Sequence, residues 1–228
     1  MIARAPITRH HSPNSDVRKG GRVDMLVLHY TGMRTGEEAL ARLLNPDAKV
    51  SAHYVVDEDG AVHALVPESR RAWHAGISAW RGEGDVNSRS IGIEIVNPGH
   101  EFGYRPFPEV QIDAVIRLCL GVLARHPIPA RNVVGHSDVA PTRKQDPGEL
   151  FSWSRLKSYG IGLWPFDGGE RTDLPADKAL ALLESYGYDV SEPAAAIAAF
   201  QRHFRPERID GIADADTIGR LQRLLAAI

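Results

Sequence analysis

Cysteine is nearly missing from this chain. Cys119 is the only one in 228 residues, so no intrachain disulfide can form and the thiolate sets that close most structural zinc sites are excluded. Excess charge is missing too. Twenty-seven Lys and Arg against twenty-nine Asp and Glu leave −2, which gives no electrostatic case for nucleic acid as a partner. No apolar run approaches the roughly 18 residues of a membrane span. The opening MIARAPITRHHSPNSDVRKGG lacks the apolar core and small-residue cleavage site of a secretory signal. The expectation is a cytoplasmic protein without a membrane span, or a periplasmic one if a signal has been removed. Nothing points to an obligate protein partner. What the chain does have is 43% hydrophobic and 25% charged residues, enough to bury a core and unlike a disordered chain.

Hydrophobic periodicity divides this content into elements. Residues 23–30 read as a buried strand, and Thr35–Leu44 as a helix stopped near Asn45-Pro46. SAHYVVDEDGAVHALVP, with Gly60 between two β-rich runs, reads as a hairpin. RSIGIEIVNPG is a further strand, with Ile91, Ile93 and Ile95 on one face and Gly92 and Glu94 on the other. Residues 108–125 form an amphipathic helix whose apolar stripe includes Cys119, so that thiol is expected in the core. Asn132–Gly135 is a short strand. The fold class is therefore α/β, a mixed central β-sheet flanked by helices.

After Tyr159 the chain becomes rich in glycine and proline, then shows three helical patterns. The first covers roughly residues 176–186. The second is expected to be capped by Ser191 with Pro193 in its first turn, and the third to follow Asp214 or Asp216. The expected division is a domain over 1–163, a linker over 164–174 and a small three-helix domain over 175–228. That last unit is small enough to lean on the larger one for stability.

The densest chemistry lies in GHSDVAPTRKQDPG, residues 135–148, where His136 and Asp146 sit at the two ends of a loop rich in turn formers. His29 closes the apolar run MLVLH upstream. Two imidazoles and one carboxylate, with a fourth position open, is a composition used by catalytic zinc sites. Glu94, flanked by isoleucines, is either an exposed edge-strand carboxylate or a general base near a metal-bound water; alternation alone leaves both open. Lys144, two residues before Asp146, is either solvated or placed to stabilise charge on a carbonyl oxygen.

VLHYT, SAHYVVDEDG, RRAWHAG, SIGIEIVNPG and VGHSDVAPTRKQDPG follow one another in this order within about residues 12–158. Together they resemble the zinc-dependent N-acetylmuramoyl-L-alanine amidases, a family that includes amidase-type phage lysozymes and is similar to the peptidoglycan recognition proteins. The resemblance implies one Zn2+ per chain held by His29, His136 and Asp146. It implies Glu94 as catalytic acid/base, Lys144 as oxyanion stabiliser, and a substrate cleft near Trp73, His74 and Ala75, with Asn97. The implied reaction is hydrolysis of the amide between the lactyl group of N-acetylmuramic acid and L-alanine. The implied partner is polymeric peptidoglycan or its fragments, including the anhydro-muropeptides of cell-wall recycling. Some members use a tyrosine near the hairpin instead of the glutamate; here the IGIE motif is intact, which favours Glu94. A non-catalytic recognition protein on this scaffold would be expected to lack a ligand, and all three are present. SPNSDVR is similar to the start of the family's two-domain branch, and AAFQRHFRPERIDGIADADTIGRLQRLL resembles a helical peptidoglycan-binding domain. An earlier repeat of its DG signature is replaced by YGYDVSEP, so a glycan-binding role and a purely stabilising one both stay open.

Overall fold

The computed structural model describes residues 7–228, and the first six residues of the opening segment lie outside it. The N-terminal half supplies β1 (Ile7–Arg9), β2 (Ser15–Val17), β3 (Met25–Tyr30), α1 (Gly36–Leu44), β4 (Tyr54–Val56), β5 (Val62–Ala64) and β6 (Arg70–Ala72). Next come α2 (Val86–Arg89), β7 (Ser90–Ile95), α3 (Gly99–Phe102), α4 (Glu109–Arg125), β8 (Val133–Gly135), α5 (His136–Val139) and α6 (Trp153–Ser158). Three helices close the chain: α7 (Ala179–Tyr186), α8 (Pro193–Phe204) and α9 (Ala215–Leu225).

Six strands form one sheet in the order β1-β5-β4-β7-β3-β8. β4, β7, β3 and β8 run parallel, while β4 and β5 form the expected antiparallel hairpin. The sheet is therefore mixed. β2 and β6 pair separately as a short ribbon. Local chemistry sets the helix ends. Thr35 caps α1 by accepting the Glu38 N–H, and Asp214 caps α9 by accepting the Thr217 N–H. α8 differs from expectation. Glu192, not Ser191, holds its N-cap position, without a side-chain bond. The Ser191 N–H donates instead to Asp189 Oδ1, and Pro193 starts the helix, where its missing N–H costs nothing.

Strand alternation sends two sets of side chains to opposite faces. Leu26, Leu28, Ile91, Ile93, Ile95 and Val133 pack under α4, in a core that also holds Cys119, Trp153 and Leu156. Burial pushes the Cys119 thiol up to about 12, as befits an inert core residue. Met25, Val27 and Val134 face the other way, into a core completed by Trp80, Val139, Leu183, Tyr186, Phe200, Phe204, Leu221 and Leu224. The C-terminal helices thus cover the second face of the sheet. The stretch expected to be a linker takes part in this. Trp164 and Phe166 pack against that core, and Glu170 is buried, its carboxylate accepting the Asp167 and Gly168 N–H groups. Residue 219 must be glycine because a Cβ there would meet the Glu170 carbonyl oxygen at 1.1 Å.

The FQ and DG residues have an architectural job. Gln201 is fully buried. Its Oε1 accepts the N–H groups of Asp210 and Gly211 at 3.0 and 2.9 Å, and its Nε2 donates to Asp210 Oδ1 and the Ile212 carbonyl, both at 3.0 Å. One side chain therefore holds the turn that joins α8 to α9.

Candidate active site

Ligands of open α/β sheets sit beyond the carboxyl ends of parallel strands, and three such ends meet here. His29 and Glu94 occupy the penultimate positions of β3 and β7 and are register partners. His136 is the first residue after β8. The loop after α5 returns Asp146 to the same point, where its carbonyl accepts the Ser137 N–H at 2.9 Å. His29 Nδ1, His136 Nδ1 and Asp146 Oδ2 converge at 2.9, 3.0 and 3.0 Å from one another, and all three residues are buried.

Hydrogen bonds behind the site decide what those atoms present. The Ser90 hydroxyl donates to the Val86 carbonyl at 2.6 Å, so its oxygen accepts from His74 Nε2 at 3.1 Å. His74 Nδ1 is then a lone pair and accepts from His29 Nε2 at 3.0 Å. His29 is left with an unprotonated Nδ1. His136 Nε2 donates to the Ala75 carbonyl at 3.0 Å, which turns its Nδ1 toward Asp146. Burial and the neighbouring His136 push His29 down to about 4, against the pull of Asp146. Burial, with His29 and His53 nearby, drives His74 well below the usual imidazole value. Burial would raise the Asp146 carboxyl, but the two imidazoles facing it hold it well below the carboxylate range.

In the neutral form that a metal ligand takes, the two imidazoles would leave lone pairs facing a carboxylate, an arrangement that repels unless a cation lies among them. A tetrahedral zinc at ~2.0–2.1 Å from each donor would hold its ligand atoms roughly 3.3 Å apart, close to the spacing seen. Two imidazole nitrogens and one carboxylate oxygen, with the fourth side toward the cleft, fit a catalytic zinc. Among the described residues this is the one group of three or more His, Cys, Asp or Glu that could hold a metal ion.

Glu94 is not an edge residue. β7 lies between β4 and β3, and Glu94 is 9% exposed. Its Oε2 has no hydrogen-bond partner. Burial first, and then Asp146, raise its carboxyl well above the usual value, with Lys144 opposing. Both Glu94 and Lys144 line a cleft of about 650 Å3 whose walls include Tyr30, His100, Phe102 and Arg143.

Of the four expected substrate-binding residues, His74 lines the cleft. Both of its ring nitrogens are engaged, by His29 and by Ser90. Gly92 makes this possible, since a Cβ there would meet the His74 ring at 2.4 Å. Trp73, Ala75 and Asn97 do not line the cleft. The Trp73 carbonyl accepts the Ser51 N–H and its own N–H donates to the Ser51 hydroxyl, and the Ala75 carbonyl holds His136 and accepts from Arg143. Asn97 spends its amide on the Arg105 carbonyl and the Gly99 N–H. Arg143, which braces the Ala75 and Ile77 carbonyls, was not singled out from sequence. No spacing distinguishes it from a solvated arginine.

The model of the family described as N-acetylmuramoyl-L-alanine amidase matches residues 19–149. The N-acetylmuramoyl-L-alanine amidase AmiD of Escherichia coli (strain K12) is 42% identical over 90% of this chain and 83% of its own length. The chain belongs to the N-acetylmuramoyl-L-alanine amidase family. The solved complex of E. coli AmiD with the substrate anhydro-N-acetylmuramic acid-L-Ala-D-gamma-Glu-L-Lys superimposes with a TM-score of 0.82, at 37% identity, over 100% of this chain and 92% of that one. The complex of AmpDh3 from Pseudomonas aeruginosa with anhydromuramic pentapeptide matches with a TM-score of 0.82, at 36% identity, over 92% of this chain and 93% of that one. This amidase therefore shares both its sheet and its C-terminal helical region with a structure that spans its whole length. No helix of the described residues is long and apolar enough to cross a membrane.

Proposed function

We propose that this chain is a zinc-dependent amidase that cleaves soluble anhydro-muropeptides between the lactyl group of muramic acid and L-alanine. The observation that carries the reading is the convergence of three potential metal-ligand atoms beside a buried carboxyl whose Oε2 has no hydrogen-bond partner. The cleft, about 650 Å3, suits a sugar bearing a short peptide. Two solved relatives carry anhydromuramyl peptides.

Zinc bound by such a set supplies a water of near-neutral pKa and a Lewis-acid contact for a carbonyl oxygen. His29 Nδ1, His136 Nδ1 and Asp146 Oδ2 would hold it. Glu94, with Oε2 free, takes the proton of the attacking water and returns it to the departing amine of L-alanine. Its raised pKa suits both halves of that task. Lys144, on the cleft wall, meets the negative charge that develops on the carbonyl oxygen. The products are a muramic acid with a free lactyl carboxylate and a free peptide. In this reading the C-terminal helices stabilise the enzyme before they bind any glycan, and the working compartment is the cytoplasm.

Glu94→Gln tests the assignment. It should keep zinc and fold while turnover of an anhydro-muramyl tripeptide falls about 100-fold or more. The unchanged enzyme should prefer that fragment to intact wall, and fractionation of expressing cells should find it in the cytoplasm. Near-normal turnover by the variant, or strong preference for polymeric wall, contradicts the proposal.

A further inference from the structure

The metal-ligand helix is tied to the C-terminal unit through one carboxylate. Asp138 is fully buried, and a buried carboxylate is costly unless donors satisfy it. Three do. The Gly135 N–H donates to Oδ2 at 2.7 Å, closing the turn that begins with His136. His203 Nδ1 also donates to Oδ2, at 2.7 Å, and the Tyr188 hydroxyl donates to Oδ1 at 2.7 Å. The first bond is local, whereas the other two come from residues 65 and 50 positions later.

We propose that Tyr188 and His203 are positioning residues for the metal site, setting the orientation of His136 by clamping Asp138. The inference rests on the zinc reading above. α5 is four residues long, a single turn, and one turn has no intrinsic stability of its own. Its direction must come from outside. On one side the Ser137 N–H donates to the Asp146 carbonyl, which links α5 to the second loop ligand. On the other side lies Asp138, and its donors are held rigidly. His203 is buried and stacks on Trp153 with ring centroids 3.7 Å apart. Tyr188 is buried and packs edge-on against Trp80 and Phe200. Removing either donor strips a lone pair of the carboxylate in apolar surroundings. Asp138 then turns toward water, and the one-turn helix carrying His136 turns with it. In this way the C-terminal unit is part of the amidase site without touching substrate.

Zinc affinity of the full chain, measured by competition with a chromogenic chelator well below the melting temperature, tests this. Tyr188→Phe and His203→Phe remove the donors and keep the rings. Each should weaken zinc binding roughly 10–100-fold, the usual effect of losing an outer partner of a metal ligand. The visible absorption of the cobalt-substituted protein should change with it. Leu224→Ala, a core cavity in the same unit away from Asp138, should lower the melting temperature yet hold zinc within about twofold of the unaltered chain, a margin well inside that outer-partner effect. Donor variants with unaltered zinc affinity and cobalt spectrum overturn the inference, as does a Leu224→Ala chain that loses zinc as they do. An unaltered chain that binds no zinc overturns the metal reading and this inference with it.

Discussion

At the scale of single residues, the site works by spending hydrogen atoms in advance. His29 and His136 each give one ring hydrogen to a partner behind the cleft, so that the other nitrogen of each ring faces Asp146. His53 shows the same economy away from the ligands. Its Nδ1 accepts the Gly92 N–H at 2.9 Å, and burial, followed by the nearby Arg18 guanidinium, pushes it down to about 3. The unfolded chain takes up that proton near 6.5, the folded chain only near 3. Below 6.5 the unfolded state therefore binds more protons. The stability that His53 contributes is complete above that pH and falls by about 1.4 kcal/mol per unit as pH drops toward 3. Denaturant titrations at pH 7 and pH 5 should show a loss that is about 2 kcal/mol smaller in His53→Gln than in the unaltered chain. Equal losses would mean that His53 is not buried neutral.

At the scale of elements, the strands deliver the chemistry, and this is where the sequence was most and least readable. The apolar run before His29, the hairpin around Gly60 and the helix over Glu109–Arg125 follow directly from periodicity, and all three are present. His29, His136 and Asp146, which converge where they could hold a metal ion, stand out as candidates in the sequence because two imidazoles and a carboxylate bracket elements of recognisable type. Glu94 was legible as a face but not as a depth. Alternation assigns it opposite Ile93, yet only strand order places β7 inside the sheet. β1, β2 and β6 read ITR, SDV and RRA, short polar stretches with no apolar run to mark them as strands. His74 is a substrate contact only by family resemblance. Its place in the hydrogen-bond chain depends on Ser90 and on the space left by Gly92, contacts that no local pattern encodes. The Asp138 clamp spans 50 and 65 residues, and its partners look like ordinary helix and loop residues.

For the whole molecule, the C-terminal helices are part of one core. Met25, Val27, Val134 and Val139 are almost completely buried, in a cluster shared with Leu183, Phe200 and Leu221. Each such side chain is worth ~1.5–3 kcal/mol of burial, so uncovering four of them costs about 6 kcal/mol or more, comparable to the ~5–15 kcal/mol that holds a domain folded. Truncation after Leu163 should therefore abolish the cooperative melt of the remaining chain or drive it to aggregate, even though His29, Glu94, His136, Lys144 and Asp146 are all retained. A soluble truncated form that melts within a few degrees of the full chain would show that the sheet face tolerates exposure. The measurement that bears most directly on the account as a whole is metal content against activity. The purified chain should carry one zinc, lose hydrolysis of an anhydro-muramyl tripeptide when a chelator removes it, and regain hydrolysis when zinc is returned. Full activity in a chain shown by elemental analysis to hold no metal would contradict it.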